Sequence, residues 1–491
     1  MRALDPDEND TYKFLGVEQA EGIKVKEVLV RVKTEMQNRL RTLLNAELYD
    51  KNLMRAINNK VILIAAYVMN VCTFSKEELE ELDQMIKREL RSNNMLGRQS
   101  SEERLYLKRK VGGRGLKSLR DVYKETKIRV ACYMASSESR CIQVAWRQEK
   151  SKEYNSLKSA AEEMIIETGH ALRFEGNGIE LDGELQTGDW RKTWKKIKAV
   201  LKEGNEMMLI EKYKEKPFQS EIFSKQETEC HMWLECNLDP RKTAAILNLQ
   251  EQMVETKSWK VSRGIVDGGY MCRLCGAFRE TVHHLLAGCQ RLAGKEYLRR
   301  HNKALMVLAV AWAKKYELID ENIVWYKEKW ERGKVFGNNK GKLVWDFEFK
   351  MRQTSSARRP DLTLEDKETK RIWICDVACP QENNIEAKVK EKMDKYQQLA
   401  FETREKRVGY RVEVVPLIIG CLGGGIRRMC KNVQKVFENE TEMEKIVKEM
   451  QKIVLMDSES IMRKVLSGLV QRSVNIWNSD WIYRVHCKLT C

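Results

Sequence analysis

Two aspartates, Asp361 and Asp376, lie fifteen residues apart and are the side chains best suited to metal-assisted chemistry in this 491-residue chain. Asp361 follows the basic run 358–360, and Asp376 lies within the largely apolar run 372–378, where a strand would carry it on one face. Two carboxylates on adjacent strands are the hard oxygen ligands that Mg²⁺ prefers, and the ion polarises a phosphate and activates water. The pair predicts metal-dependent cleavage of a phosphodiester, with ordinary acids at strand ends as the alternative.

A lysine-rich stretch follows the second aspartate and could serve the same site. Lys388, Lys392 and Tyr396 are spaced at four-residue intervals, which places them on one face of a helix. A lysine there would balance the negative charge that develops on a phosphate, or orient the nucleophile. A solvated surface charge is the alternative for Lys392, and lesser candidates for metal binding are Glu365, Asp366 and Glu386.

Three cysteines and a histidine form a compact cluster about ninety residues before Asp361. Cys272 and Cys275 flank a two-residue turn, His284 follows after eight residues, and Cys289 follows after four more. Such a set closes a tetrahedral Zn²⁺ site with no open position for water, so we predict a structural zinc site. His283 is the alternative histidine ligand, and reduced cysteines beside a surface histidine pair are the alternative without metal.

Basic and aromatic residues alternate in a third segment, residues 190–198. Cations neutralise phosphates and aromatic rings stack on bases, so this composition favours contact with nucleic acid. An amphipathic helix that buries its tryptophans is the alternative. A glycine loop at 112–116, which we expect to be flexible, adds Arg114, and the predicted contacts in the longer segment are Trp190, Arg191, Lys192, Trp194, Lys195 and Lys196.

Hydrophobic periodicity predicts the elements that must position these residues. The first third of the chain has helical patterns at 24–41, 53–71, 76–90, 119–135 and 154–168. The Gly-rich, acidic stretch 176–188 is interpreted as a linker. Further on, strand patterns alternate with helical patterns, which predicts an α/β layered domain. The strands are expected at 343–349, 360–364, 371–378 and 410–419, and the helices at 303–316, 386–405 and from Ile426 onward.

The chain is strongly basic, with a net charge of +17 and a pI of about 9.1. Such an excess favours polyanionic partners through phosphate neutralisation and counterion release. The sequence contains no run of about eighteen apolar residues and no apolar core of an N-terminal secretory signal. We therefore expect no membrane span, a nuclear or cytoplasmic location, and reduced thiols among the 14 cysteines.

The order of these motifs resembles a known family. It is similar to the C-terminal part of the reverse transcriptase polyprotein of non-LTR retrotransposons that carry a restriction-like endonuclease. Near the start, residues 12–16 resemble the end of the polymerase palm, and the helices through 105–107 and 112–116 resemble its thumb. The matching motifs of the second half are Cys272-x₂-Cys275, His284-x₄-Cys289, Arg300-His301-Asn302, Arg359-Pro360-Asp361, Asp376, Glu391-Lys392 and Lys395-Tyr396.

The resemblance implies a PD-(D/E)xK-type endonuclease that nicks target DNA, so that reverse transcription starts from the freed 3′ hydroxyl. Asp361 and Asp376 would then be catalytic acids that bind Mg²⁺ or Mn²⁺. Lys392 would be the catalytic lysine, moved onto a helix, since Ala378 occupies the position where ordinary restriction enzymes carry their lysine. Tyr396 would assist at the same site.

The resemblance also implies the partners, which are a DNA target and the element RNA, with no small-molecule substrate. The zinc knuckle, with Arg300 and His301, would grip nucleic acid near the cut. A polymerase palm needs adjacent catalytic aspartates, and this sequence contains no Asp-Asp dipeptide, so we expect no DNA polymerisation from it. A zinc-containing DNA- or RNA-binding protein without catalysis, or a degenerate element fragment, is the alternative.

The predicted organisation is multidomain. It combines a helical thumb and linker, a small zinc knuckle and an α/β domain of restriction-endonuclease type. The predicted segments are the palm end at 1–22, the thumb at 23–150, a basic helical linker at 151–264, the zinc knuckle at 265–302, the endonuclease at 303–430 and a helical tail at 431–491.

Overall fold

The computed structural model of the chain is a mixture of helices and sheets that falls into two compact units. The first comprises Met1–Pro217 and Asn237–Ala244, and the second Phe218–Cys236 and Ala245–Cys491, a coarser division than the six predicted segments. Residues 15–16 of the predicted palm strand and 471–491 of the predicted tail lie outside the described residues. The described residues are 12–14, 17–19, 23–152, 156–175, 178–186, 189–215, 228–266, 268–352 and 357–470.

The first unit is mainly helical in its described residues. A short antiparallel pair, β1 (Tyr12–Phe14) and β2 (Val17–Gln19), precedes the helices. In α1 (Val25–Leu44) the buried residues recur at helical spacing, so one stripe of the helix faces the core. The other helices are α2 (Asp50–Ala56), α3 (Ile62–Val68), α4 (Lys76–Ser92), α5 (Glu103–Tyr106), α6 (Leu119–Ala135), α7 (Arg140–Ser151), α8 (Leu157–Ile166) and α9 (Trp190–Lys214), with a π-helical turn at Ile57–Val61 between α2 and α3.

Within the stretch interpreted as a linker, 176–188, the described residues 178–186 instead form part of a small antiparallel sheet. Its strands are β3 (Leu172–Glu175), β4 (Gly178–Leu181) and β5 (Glu184–Gln186). Asp182 and Gly183 join the last two strands with positive φ angles of 54° and 83°, the geometry that Asp-Gly favours in a two-residue hairpin turn. The linker prediction was wrong because this turn signal was taken as flexibility, while alternate apolar residues of the strands pack on α8 and α9.

The glycine loop at 112–116 is packed against its surroundings, and the prediction of a flexible loop was wrong. A Cβ added at Gly113 would lie 2.0 Å from the carbonyl oxygen of Leu107, so the loop approaches its neighbour too closely for a side chain. The guanidinium of Arg114 ion-pairs with the buried carboxylate of Asp50 and donates to the carbonyl of Met95. Arg114 is 1% exposed, so a phosphate cannot reach it and its predicted contact with nucleic acid is not supported.

A five-stranded sheet lies at the centre of the second unit. Its strands are β6 (Val335–Gly337), β7 (Gly341–Trp345), β8 (Leu362–Asp366), β9 (Arg371–Ala378) and β10 (Arg411–Ile418), in the order β10-β9-β8-β7-β6. β10 runs parallel to β9, and the other neighbours are antiparallel. The α/β layering predicted from the sequence is therefore present, with strand ends shifted by a few residues.

Helices cover both faces of this sheet. On one face, α13 (Leu298–Lys315), α16 (Ile426–Gln434) and α17 (Glu440–Leu466) pack on a core that includes Trp373 and Leu417. On the other face lie α14 (Ile385–Lys395) and α15 (Gln397–Lys406), which the sequence predicted as one helix. Since α17 shares the hydrophobic core of the five-stranded sheet, the predicted boundary near 430 does not separate an independent tail. The remaining helices are α10 (Pro240–Gln250), α11 (Lys257–Ser262) and α12 (Gln290–Leu292).

Candidate nuclease and zinc sites

The predicted nuclease residues converge at one end of β9. Asp376 lies on the face of β9 that packs against α14 and α15, and its side chain is fully buried. Lys392, on α14, places its Nζ 2.7 Å from Asp376 Oδ1. The hydroxyl of Tyr396, at the junction of α14 and α15, lies 2.5 Å from Asp376 Oδ2 and 2.9 Å from the carbonyl oxygen of Arg359. The helix spacing that placed Lys392 and Tyr396 on one face therefore brings both to the same carboxylate.

Asp361 lies beside Asp376 across the neighbouring strand. It immediately precedes β8, and the antiparallel register pairs Leu362 with Cys375, so the next pair outward is Asp361 with Asp376. Side chains directly opposite each other in such a pair have Cβ atoms about 5 Å apart. Asp361 Oδ2 accepts the backbone N–H of Val377 at 2.9 Å, which turns the carboxylate toward β9. The strand pairing therefore brings the two acids together, as the sequence predicted.

Charge within this pocket is set by the two carboxylates. Burial alone would disfavour a charged Lys392, yet Asp376 and Asp361 together raise its pKa above the ordinary lysine value, so the ammonium form persists. Burial, together with the same two carboxylates, raises the pKa of Tyr396, which therefore stays a neutral hydrogen-bond donor. At neutral pH the pocket thus holds two acids, an ammonium and a phenol.

Arg359 and Asp346 hold the loop that carries Asp361. The guanidinium of Arg359 donates to both oxygens of Asp346, at 2.7 and 2.6 Å, in a fork-to-fork pair. The N–H of Asp346 also donates to the carbonyl oxygen of Asp361 at 2.9 Å. Sequence reasoning missed Asp346, which follows β7 in a left-handed conformation with φ of 45° and belongs to no motif we recognised.

The pocket fits a hard divalent cation. Two buried carboxylates face the ammonium of Lys392, and burying negative charge is costly unless further positive charge compensates it. Carboxylate oxygens are the donors that Mg²⁺ and Mn²⁺ accept, so Asp361 and Asp376 would hold the ion. The lesser candidate Asp366 lies five residues from Asp361 at the far end of β8, where Tyr316 and Thr369 hydrogen-bond its carboxylate.

The zinc cluster assembles in the second unit. Cys272, Cys275, His284 and Cys289 place one ligand atom each within 4.8 Å of one another. The sulfurs of Cys272 and Cys289 are 3.9 Å apart, and Cys275 Sγ is 3.4 Å from His284 Nε2. Two sulfurs at 2.3 Å from a tetrahedral zinc ion are about 3.8 Å apart, so the donor set and its spacing are compatible with Zn²⁺.

The neighbouring His283 points to a different group of side chains. His283 lies near Glu382 and Cys421, which could in principle hold a second ion. Glu382 Oε1, however, accepts the backbone N–H groups of Leu422 and Gly424, at 2.8 and 3.1 Å. This carboxylate therefore caps the glycine loop before α16, and we assign the group to the packing of that loop.

Tyr297, in the π-helical turn Ala293–Tyr297 that precedes α13, and Arg300, on α13, connect the cysteine–histidine cluster to neighbouring elements of the second unit. The hydroxyl of Tyr297 accepts the N–H of Cys289 at 3.1 Å and donates to the carbonyl of Leu285 at 2.9 Å. The guanidinium of Arg300 donates to the carbonyl of Leu286 at 2.8 Å and to the hydroxyl of Ser458, on α17, at 2.9 Å. Arg300 is 1% exposed, so its predicted contact with nucleic acid is not supported. Its buried guanidinium instead links two segments of the second unit through these hydrogen bonds.

The basic segment 190–198 forms the start of α9, as the alternative of an amphipathic helix predicted. Trp194 packs against the core of the first unit, and Trp190 makes an edge contact with Tyr133. Arg191, Lys192, Lys195 and Lys196 are exposed on the outer surface, although Lys196 also donates to Gln186. The segment is thus an amphipathic helix that keeps a basic outer face.

Neutralising part of this face tests its contact with RNA. We expect the double variant Lys192→Gln, Lys195→Gln to bind single-stranded RNA more weakly, because fewer counterions are released from the RNA when fewer phosphates are neutralised. The slope of log affinity against log salt should fall by about 0.7 for each contact. A fluorescence titration across a series of salt concentrations measures both quantities.

The matched control lies on the same helix. Lys212 and Lys214 are exposed lysines at the end of α9, roughly 30 Å from the first pair at 1.5 Å per residue. Replacing both with glutamine removes the same charge. An equal loss of affinity in the two double variants would show that only net charge matters, and would contradict a specific RNA contact at 190–198.

Comparison with known proteins identifies no relative from which a function could be inferred. No protein-family model and no curated protein matches the chain. Among the residues described above, no helix combines the length and the apolar character that crossing a bilayer requires. The function is therefore argued from the chemistry of the two candidate sites.

Proposed function

We propose that the chain is a metal-dependent DNA endonuclease module derived from a non-LTR retrotransposon. The observation that carries the proposal is the convergence of Asp361, Asp376 and Lys392 in one buried pocket, with two acids on adjacent strands and an ammonium 2.7 Å from one of them. The resemblance of the ordered motifs supports the same function, because its catalytic residues are the ones that converge.

Each residue of the pocket has a role in this proposal. A divalent cation, when bound by Asp361 and Asp376, would supply the charge that polarises a phosphate and activates water. Lys392 places fixed positive charge where a phosphate would acquire negative charge. Tyr396 donates to Asp376 and holds the rotamer of that carboxylate. The Arg359–Asp346 pair holds the loop on which Asp361 is carried.

The proposed substrate is DNA and the proposed second partner is the element RNA. The net charge of +17 supports binding to both, since phosphate neutralisation dominates affinity for nucleic acid. The exposed basic face of α9 and the zinc knuckle are the proposed contacts. Nicking of target DNA would provide the primer end for reverse transcription.

The experiment that tests the proposal is nicking of supercoiled plasmid by the full chain with its zinc retained. We expect open circular product when Mg²⁺ or Mn²⁺ is added and none when these ions are omitted, because the carboxylates need the ion to act. Pooled random-sequence DNA should be tested in parallel, since an enzyme of narrow specificity can miss a plasmid. Absence of metal-dependent product on both substrates would contradict the proposal.

A second candidate function, nucleic-acid binding without catalysis, is favoured by the burial of the pocket. Asp376 and Lys392 are 0% and 2% exposed and lie within ion-pair distance of each other, so a phosphate can enter only if the pocket opens. Steep salt dependence of DNA binding with no metal-dependent product would select this function over the first.

A further inference from the structure

His301 lies at the nuclease pocket although the catalytic scheme above gives it no task. It is the fourth residue of α13, and its side chain is 12% exposed. Its Nε2 atom is 3.2 Å from Asp361 Oδ2. Sequence analysis placed His301 among residues that contact nucleic acid, whereas its nearest charged neighbour is the proposed metal ligand.

Two groups therefore lie next to one oxygen of Asp361. The N–H of Val377 approaches Asp361 Oδ2 at 2.9 Å from β9, and the imidazole of His301 approaches the same atom from α13. The backbone N–H is fixed by the sheet, so it sets the distance to β9. The imidazole, in the form that carries a proton on Nε2, restricts the remaining rotation of the carboxylate about its own axis.

The position of His301 is itself well determined. The adjacent Arg300 is buried and donates to Leu286 and Ser458, so the start of α13 cannot rotate without breaking both bonds. A side chain held this firmly can orient another at little entropic cost, since its own freedom is already lost.

We propose that His301 is a positioning residue for the divalent-cation site, which it serves by orienting Asp361. This inference rests on the proposed function and deepens it. A histidine that hydrogen-bonds a metal-binding carboxylate raises affinity for the ion without touching it, and removal of such a partner costs about tenfold to a hundredfold in metal affinity or activity.

The test uses the full, zinc-loaded chain and Mn²⁺ as the probe. We would compare His301→Ala, His301→Gln and the exposed neighbour Asn302→Ala as the matched control. Two quantities are measured: the Mn²⁺ concentration that gives half-maximal nicking, and Mn²⁺ binding without DNA by electron paramagnetic resonance. Thermal unfolding and zinc content report whether each variant is folded.

We expect His301→Ala to need about tenfold to a hundredfold more Mn²⁺, with a much smaller effect on the rate at saturating Mn²⁺. His301→Gln should retain most of the metal affinity, because its amide nitrogen can donate from the position of Nε2. Asn302→Ala should match the wild type. A purely structural role would instead lower the unfolding temperature of His301→Ala and leave its metal dependence unchanged.

The outcomes separate this inference from the nuclease function. Wild-type metal dependence in His301→Ala would overturn the inference and leave the nuclease intact. If the wild-type chain cuts no DNA but binds Mn²⁺, and His301→Ala binds Mn²⁺ more weakly, the positioning role is supported and the nuclease function is contradicted. A wild-type chain that binds no Mn²⁺ would overturn both.

Discussion

Replacing Asp376 with asparagine should reduce metal-dependent nicking at least about a hundredfold while the chain stays folded and still binds DNA. The substitution removes the charge of a proposed metal ligand and keeps one of its two oxygens, so either Tyr396 or Lys392, which contact different oxygens of Asp376, loses its acceptor. Because Lys392 then faces a neutral amide, we expect the free energy of unfolding to fall by about 2 kcal/mol. Plasmid nicking, DNA binding and thermal unfolding measure the three quantities.

The control for this substitution is Asp366→Asn. Asp366 is a buried carboxylate of the same sheet, bonded to Tyr316 and Thr369 and about 17 Å along β8 from Asp361. Its loss should lower stability by a similar amount without removing nicking. Equal nicking by the wild type and the Asp376 variant would mean that any cutting in the preparation comes from elsewhere.

Replacing His284 with asparagine should remove zinc from the chain, whereas the same change at its neighbour His283 should not. His284 Nε2 faces Cys275 Sγ within the cluster, and His283 turns toward Gln252, whose amide lies 3.2 Å away. Structural zinc contributes on the order of 10 kcal/mol to the folding of small zinc domains. The described cluster shares a hydrophobic core with α17, so we expect the unfolding midpoint of the second unit to fall by at least about 10 °C.

Metal analysis by mass spectrometry and thermal unfolding in parallel test this pair of substitutions. Burial raises the pKa of the Cys289 thiol, so this sulfur carries a proton until a bound metal ion displaces it. A zinc content near one in the His283 variant and near zero in the His284 variant would assign the ligand. The reverse pattern would assign the site to His283 and contradict the geometry.

Local patterns predicted the elements that carry both sites. The run at 371–378 is almost continuously apolar, as in a strand buried on both faces, and the predicted strand coincides with β9. The four predicted zinc ligands lie within eighteen residues, so their spacing alone defines the cluster. Lys392 and Tyr396 could be assigned to the same site as Asp361 and Asp376, because both their helical spacing and the order of the motifs indicated it. What these predictions share is that the determining information lies within about twenty residues.

The features that sequence reasoning missed depend on distant contacts. Arg114 was taken as exposed because its neighbours are glycines, whereas its environment is set by Asp50, 64 residues earlier. His301 and Asp361 are separated by 60 residues, and nothing near either of them indicates a hydrogen bond. The sheet formed by β3, β4 and β5 was missed because its Asp-Gly turn sits in a polar, glycine-rich stretch, where short strands and a linker have similar composition.

The hydrogen bonds of Tyr297 and Arg300 limit where segments of this chain can be exchanged with those of a related protein. Cys289, a proposed zinc ligand, and His301, beside the proposed nuclease pocket, are twelve residues apart, and both bonded residues lie between them. A chimera joined within 289–301 would take its knuckle from one parent and its helix from another, so the shared bonds would be lost unless both parents match. Exchanges that keep 272–301 as one block should preserve cutting. A single residue inserted into the first turn of α13, before His301, should rotate His301 by about 100° away from Asp361.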